Sequence, residues 1–386
     1  MKMRADWTYP TSIRFGAGRI TELGEACKLA GMSRPLLVTD PGLAELPMVD
    51  AAMENCRAAG LDIGIFSKLK PNPTGQNVAD GAEAYRAGKH DGVIAFGGGS
   101  ATDCAKAIAF IQGQPEPLWH YQDLEIGWTL ADATTIAPII AVPTTAGTGS
   151  EVGRAVVILN EDTHEKKILF HPKMMPVMVI SDPELTIGLP PVLTAGTGLD
   201  AFAHCIEAYC SPAFHPMSQG IALEGMRLVK NALPTAVKDG TNIEARANML
   251  IAASMGATAF QKGLGAIHSL SHSIGALYDT PHGMTNAVVM PYVLASNRPA
   301  IETRIERLAA YLGIEGGFDG FMTWLLAFRE EIGIPHTLKD FGVDNARTAQ
   351  IADMAIVDPT AASNPVPLTK ELAIAMFEAA YEGKIP

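Results

Sequence analysis

Asp200 and His204 stand four residues apart, and His268 and His272 repeat that spacing. On a helix, residues so spaced share one face about one turn apart. His282 follows Pro281 and precedes Gly283, a place where a helix should break and an imidazole can be aimed freely. A single carboxylate with several imidazoles suits a divalent first-row metal, Fe(II), Zn(II), Ni(II) or Co(II), whereas Ca(II) and Mg(II) favour oxygen donors. Cys205 and Cys210 lie near Asp200 but fall on other faces by the 3.6-residue count, so they read as core residues. The competing reading is a polar cluster in which the histidines satisfy buried partners and no metal is held. His90, His120, His164 and His215 sit among loop residues or charges and are assigned no role.

Two loops have the chemistry to hold a nucleotide. Gly97-Gly98-Gly99-Ser100 follows an apolar run and opens a helical segment carrying Asp103 and Lys106. Free backbone N–H groups and the positive end of a helix then face one point, and three glycines let a diphosphate approach the main chain. The alternative is a tight strand-to-helix turn that binds nothing; the motif is neither GxGxxG nor a Walker A loop. The second loop, Pro143 to Glu151, brings Thr144, Thr145 and Thr148 to the end of another apolar run. Open α/β sheets bind ligands at that end of their strands. A turn capped by its own hydroxyls would use the same residues. Asp40 also ends an apolar run. Such an acid can accept from an adenosine ribose and repel a 2′-phosphate, but its place ahead of the glycine loop differs from the usual order, so on these grounds an ordinary turn aspartate is the better reading.

These groups need a scaffold, and the chain changes texture along its length. Short aliphatic runs at Leu36 to Thr39, Ile63 to Phe66, Val93 to Phe96, Ile136 to Val142, Val156 to Leu159 and Val177 to Ile180 alternate with helical segments such as Asn77 to Lys89 and Ser100 to Ile111. Strand and helix in alternation predict a Rossmann-like α/β domain with a parallel sheet. From Thr194 onward Ala, Leu and Met dominate without a convincing strand, so an all-α domain is predicted there. Gly188-Leu189-Pro190-Pro191 marks the boundary, because paired prolines exclude helix or central strand and set up a helix start. The expected division is 1–187, an α/β dinucleotide-binding domain, and 188–386, an all-helical metal-binding domain.

The 386 residues are enough for two or three domains at roughly 100 to 200 residues each. With 29 basic against 41 acidic residues and a formal charge of −12, the chain has no electrostatic footprint for nucleic acid or an anionic membrane. Met1 to Pro10 lacks the apolar stretch of a secretory signal, and Ala133 to Ser150, free of charge after Asp132, contains prolines and glycines that suit a buried strand and turn rather than a membrane span. Five cysteines without CxxC spacing suggest no disulfide framework and fit a reducing cytoplasm.

Several motifs, taken together, resemble the iron-containing (group III) alcohol dehydrogenase family nearly end to end. They are Phe15-Gly-Ala-Gly18 with Leu23-Gly-Glu25, Thr39-Asp-Pro-Gly42, Pro71-Asn-Pro-Thr74, Gly97-Gly-Gly-Ser100 with Asp103 and Lys106, and Pro143 to Glu151. Asp182-Pro-Glu-Leu185, Gly198-Leu-Asp200 with His204 and Glu207, His268 with His272, Pro281-His282-Gly283 and Asn286-Ala287 continue the likeness. One departure is Val366 after Asn364-Pro365, where an arginine is expected. The resemblance implies that Asp200, His204, His268 and His282 bind a catalytic divalent metal, with His272 beside it as a proton relay. It implies that Gly97, Gly98, Gly99, Ser100 and Asp103 hold NAD, with Thr144, Thr145, Thr148 and Lys166 lining the cofactor site and Asp40 meeting the ribose. The activity implied is reversible hydride transfer between a primary or vicinal alcohol and NAD, by a homodimer or larger homo-oligomer acting on a small alcohol or aldehyde. Maleylacetate reductase-like or glycerol dehydrogenase-like activity within the same superfamily, or a non-catalytic nucleotide-binding protein, are the alternatives; the intact Asp/His/His/His set argues against the first.

Overall fold

The computed structural model describes Tyr9 and residues 11–122, 127–163 and 165–386. The reading of Met1 to Pro10 falls outside these residues apart from Tyr9, and so does that of His164. Two compact units emerge. One comprises Tyr9–Thr145 and Gly149–Gly188, the other Leu189–Pro386 together with Ala146–Thr148.

The first unit is built on a six-stranded parallel sheet of β1 (Ser12–Phe15), β2 (Pro35–Val38), β3 (Gly64–Phe66), β4 (Gly92–Gly97), β5 (Ile139–Pro143) and β8 (Met178–Ser181), in the order β1-β8-β5-β4-β2-β3. β2, β4 and β5 are buried along their whole length, as continuous apolar runs covered on both faces must be. Leu36 pairs with Val93 and Val93 with Ile139, so these central strands end side by side. The Gly75–Ala87 helix starts on a capping box: Thr74 Oγ1 accepts from Asn77 N, and Asn77 Oδ1 accepts from Thr74 N.

One strand departs from expectation. The run around Val156 forms β6 (Ala155–Asn160), which leaves the parallel sheet and pairs antiparallel with β7 (Glu165–Phe170). Its residues alternate between half-buried and buried, the signature of a hairpin with one covered face rather than a central parallel strand.

The second unit contains no strand among the described residues. Its central Pro191–Cys210 helix carries Asp200, His204 and Glu207 and is buried nearly all round. Pro191 occupies the first helical position, where its missing N–H costs nothing. Arg246 holds this end, donating to Leu189 O at 3.1 Å and to Thr194 Oγ1 at 2.8 Å. At the other end Lys262 Nζ donates to the carbonyls of Ala208 and Tyr209 at 2.8 and 3.1 Å, and Arg304 donates to those of Cys210 and Ser211. Two cations there answer the free carbonyls and the negative end of the helix dipole.

The Ala266–Tyr278 helix carries His268 and His272, and the His282–Ser296 helix opens on His282. The latter meets the Asp200 helix at a glycine contact: a Cβ on Gly283 would lie 2.5 Å from Gly196 O and 3.1 Å from Asp200 Cβ. That approach brings His282 to Asp200. Among the described residues no helix is long and apolar enough to cross a membrane.

Gly283→Ala should force these two backbones apart and cost roughly 1–3 kcal/mol of stability. Urea unfolding of the two proteins measures this, and coincident curves would show that the contact is not tight.

Candidate functional site

Three imidazoles surround one carboxylate. Asp200 Oδ1 lies 3.9 Å from His204 Nε2, 3.9 Å from His268 Nε2 and 3.6 Å from His282 Nε2. Asp200, His204 and His268 offer donor atoms that all fall within 4.8 Å of one another, and His282 approaches this set through Asp200. Bonds of about 2.1 Å to a tetrahedral ion would put its donors about 3.4 Å apart, close to these separations. The first three side chains are nearly inaccessible, whereas His282 keeps 27% of its side chain exposed and so marks the accessible side of the cluster.

The far nitrogens show how the rings are aimed. His268 Nδ1 bonds Glu207 Oε2 at 2.6 Å, His282 Nδ1 bonds Ser271 Oγ at 3.1 Å, and His272 Nδ1 bonds Asp358 Oδ2 at 2.9 Å. For His268 and His282, occupation of Nδ1 leaves Nε2 turned toward Asp200, as a ligand anchored from behind requires. His272 stacks on His282 with ring centroids 5.2 Å apart, beside the donor set rather than in it.

Burial pushes His204 down to about 4 against the pull of Asp200, so it is neutral and able to ligate. Burial also disfavours charge on His268, but Glu207, Asp200 and Asp358 together outweigh it and move the ring upward. Asp200 makes no ion pair with Lys or Arg among the described residues. Asn286 Nδ2 donates to Asp200 Oδ1 at 2.8 Å and lies 3.1 Å from His282 Nε2, while its own Oδ1 is buried without a partner. A buried carboxylate ringed by imidazole nitrogens and short of positive charge fits a divalent transition-metal ion.

In the first unit, Asp40, the glycine loop and Thr144–Thr145 follow β2, β4 and β5, which are neighbours in the sheet. Gly97 has φ +146°, a conformation that favours glycine, and a Cβ there would lie 2.7 Å from Ala101 Cβ. Gly98 begins the Gly99–Ile111 helix without a side-chain cap, leaving its first N–H groups to serve an anion. Asp40 Oδ1 accepts from Leu43 N at 2.9 Å, and Oδ2 faces Gly97, 3.8 Å from where its Cβ would be. Ser100 Oγ donates to Pro71 O. Thr144 N donates to Gly97 O at 3.1 Å, and Thr145 packs against Gly98. Thr148 belongs to the second unit.

Asp103 is held in a cluster of its own within the protein. Its carboxylate accepts from Ser150 Oγ at 2.7 Å and from Val157 N at 2.9 Å, while Lys106 Nζ donates to Ser150 Oγ and Ala155 O. Burial pushes Lys106 down to about 8 against the pull of Asp103 and Glu151. The pair braces the glycine-loop helix to the end of the threonine loop and to β6. Lys166, on β7, lies within electrostatic reach of Asp103.

Sequence reasoning gives Glu207, Ser271, Asn286 and Asp358 no role at the site. Glu207 is three residues beyond His204 on one helix, a spacing that could have flagged it. Asp358 reads as a turn residue because its Oδ1 accepts from Thr360 N at 2.8 Å; only the fold brings its other oxygen to His272.

The family model described as iron-containing alcohol dehydrogenase matches residues 10–183, and the C-terminal model of the Fe-containing alcohol dehydrogenase family matches residues 194–381. A 1,3-propanediol dehydrogenase of Citrobacter freundii is 38% identical over 372 residues, covering 93% of this chain and 94% of the relative. The crystal structure of a 1,3-propanediol oxidoreductase superimposes with a TM-score of 0.93 at 36% identity, covering 98% of this chain and 100% of the other. A sulfoacetaldehyde reductase from Bifidobacterium kashiwanohense, solved in complex with NAD+, gives 0.88 at 29% identity, covering 98% and 99%.

Burial would raise the Asp358 carboxyl, but His272 and Thr360 prevail and hold it down at about 2. A carboxyl held below its ordinary value stabilises the fold above that value, and the gain disappears as pH falls toward 2. Asp358→Asn should therefore cost about 2 kcal/mol at neutral pH and flatten the acid loss of stability between roughly pH 4 and 2. Urea melts across that range measure it; parallel pH curves would show that the pair contributes nothing.

Proposed function

The chain belongs to the iron-containing alcohol dehydrogenase family, and from that premise we propose that it catalyses reversible hydride transfer between a primary or vicinal alcohol and NAD, with an aldehyde or ketone as product. The convergence of three imidazole Nε2 atoms on Asp200 Oδ1 carries this reading. Asp200, His204, His268 and His282 would hold the divalent ion, iron(II) in keeping with the family and zinc(II) equally suited by the donor set. When bound, such an ion polarises an alcohol or carbonyl oxygen, and NAD provides the carbon that accepts hydride.

The chain's own residues do the rest. His272 is braced through Nδ1 by Asp358, so its Nε2 is the atom that takes up the alcohol proton and passes it outward. The N–H groups around Gly97, Gly98, Gly99 and Ser100 hold the diphosphate, and Asp40 accepts from the adenosine ribose. Thr144, Thr145, Thr148 and Lys166 line the cofactor site, and Asp103 keeps the loops in place. Residues 1–187 thus serve the dinucleotide and 188–386 the metal. Maleylacetate reductase-like chemistry is not favoured, because it needs no such donor set; glycerol dehydrogenase-like chemistry and a non-catalytic nucleotide binder are likewise the weaker readings.

A homodimer or larger homo-oligomer is supported by β1, an edge strand that leaves Ile13 and Phe15 exposed. A cytoplasmic location is supported by five buried free thiols. The acidic charge leaves a small alcohol or aldehyde, rather than nucleic acid or a membrane, as the partner.

Anaerobically prepared protein supplied with Fe(II) or Zn(II) should form NADH from simple alcohols, and His282→Ala should lose bound metal and activity together. Elemental analysis decides: full metal content in the inactive variant would remove His282 from the ligand set. Asp40→Gly should raise kcat/KM for NADP relative to NAD by about tenfold or more, since a like charge beside the 2′-phosphate is removed. An unchanged ratio would show that Asp40 does not meet the ribose.

A further inference from the structure

The helix bearing His268 and His272 has no cap of its own. Gly265 precedes it and offers no side-chain acceptor, so its first N–H groups, which no intrahelical carbonyl can serve, must be answered from elsewhere. Asn364 Oδ1 accepts from Ala266 N at 3.1 Å, and Glu207 Oε1 accepts from Ile267 N at 2.8 Å. Glu207 Oε2 then accepts from His268 Nδ1 at 2.6 Å. One buried carboxylate thus receives two N–H donors from consecutive residues, one from the backbone and one from a ring. Gly265 makes room for it: a Cβ there would lie 2.8 Å from Asn364 Oδ1 and 3.0 Å from Glu207 Oε1.

We propose that Glu207 is a positioning residue for the metal centre: by accepting on both oxygens it fixes His268 with its proton on Nδ1 and its Nε2 lone pair facing Asp200. This deepens the reading of His268 as a ligand and rests on it. Glu207 also supplies a second buried negative charge. With Asp200 it makes two, which match the charge of a divalent ion.

The arrangement requires a carboxylate. Glutamine has one acceptor oxygen. If that oxygen serves Ile267 N–H, the amide NH2 points at His268 Nδ1, which must then accept, and the ring proton moves to Nε2 where it blocks ligation. If the oxygen serves His268 instead, the NH2 confronts Ile267 N–H. Asn364 provides a control, because it serves the same helix end without touching His268. Its amide is held by a reciprocal pair with Asn297, at 2.9 Å in each direction.

Zn(II) affinity, read by chelator competition on the purified full chain, and the Tm of metal-free protein separate the two roles. Glu207→Gln should bind Zn(II) about 10- to 100-fold more weakly with a Tm near that of the unaltered protein. Asn364→Ala should lower Tm but hold Zn(II) affinity within about threefold. Equal weakening in both variants would reduce Glu207 to a helix cap and overturn the proposal. So would unaltered affinity in Glu207→Gln alongside loss of zinc in His268→Ala, an outcome that leaves the ligand reading standing. Zinc retained by His268→Ala would instead bring down that reading and the proposal with it. Neutron diffraction of the zinc-loaded protein tests the point without any variant: the proton belongs on His268 Nδ1, and finding it on Nε2 overturns the assignment.

Discussion

A carboxylate sits in the middle of a helix that is buried nearly all round, and the second unit is arranged around the cost of keeping it there. Asp200 is only 2% exposed and has Leu199, Ala201 and Phe202 as chain neighbours, all wholly buried. An isolated charge so placed would cost many kcal/mol, so it must be surrounded by groups that supply positive charge or donate hydrogen bonds. Those groups come from three helices: His204 from the same one, His268 from a second, and His282 with Asn286 from a third. The helix crossings therefore serve a charge as well as an apolar core. The glycine contact between Gly196 and Gly283 shows the consequence, because no side chain may stand between backbones that must bring His282 within reach of Asp200.

Aiming an imidazole is a two-sided problem. A ring can offer one nitrogen inward reliably only if the other is occupied. The protein answers with a carboxylate for His268 and for His272 and a hydroxyl for His282, whereas no side chain hydrogen-bonds His204 Nδ1 among the described residues. His204 is instead fixed by its surroundings, stacked on His268 with ring centroids 4.7 Å apart and packed against Phe260. The charged handles lie behind the two rings with different duties, one turned toward the donor set and one placed beside it.

Much of this scaffold is legible in the chain, for a definite reason. Buried parallel strands need unbroken apolar runs, and Leu36–Thr39, Val93–Phe96 and Ile136–Val142 have them, so β2, β4 and β5 stand out. Spacing four apart similarly gives away Asp200 with His204. What stays hidden depends on tertiary contact or on weak local pattern. β1 is four residues long and mostly exposed, and β7 begins with Glu165-Lys166-Lys167, which looks like a charged loop until β6 pairs along its edge. Asp358 lies 86 residues from the histidine it holds and satisfies every local criterion for a helix-start aspartate.

Asp103 shows the same limit from the opposite direction. Its motif associates it with the glycine loop, and position alone suggests contact with whatever that loop holds. Its hydrogen bonds point instead to Ser150 and Val157, with Lys106 completing the cluster. A glycine loop that presents backbone N–H groups has little side-chain chemistry of its own, so its shape must be imposed from outside. A buried ammonium and a carboxylate sharing one serine hydroxyl can impose it: each is costly to bury alone, and each is satisfied only while the Ser150 end of the threonine loop stays against the helix that the glycine loop opens. Residues beside such a loop can therefore matter to it by holding its shape.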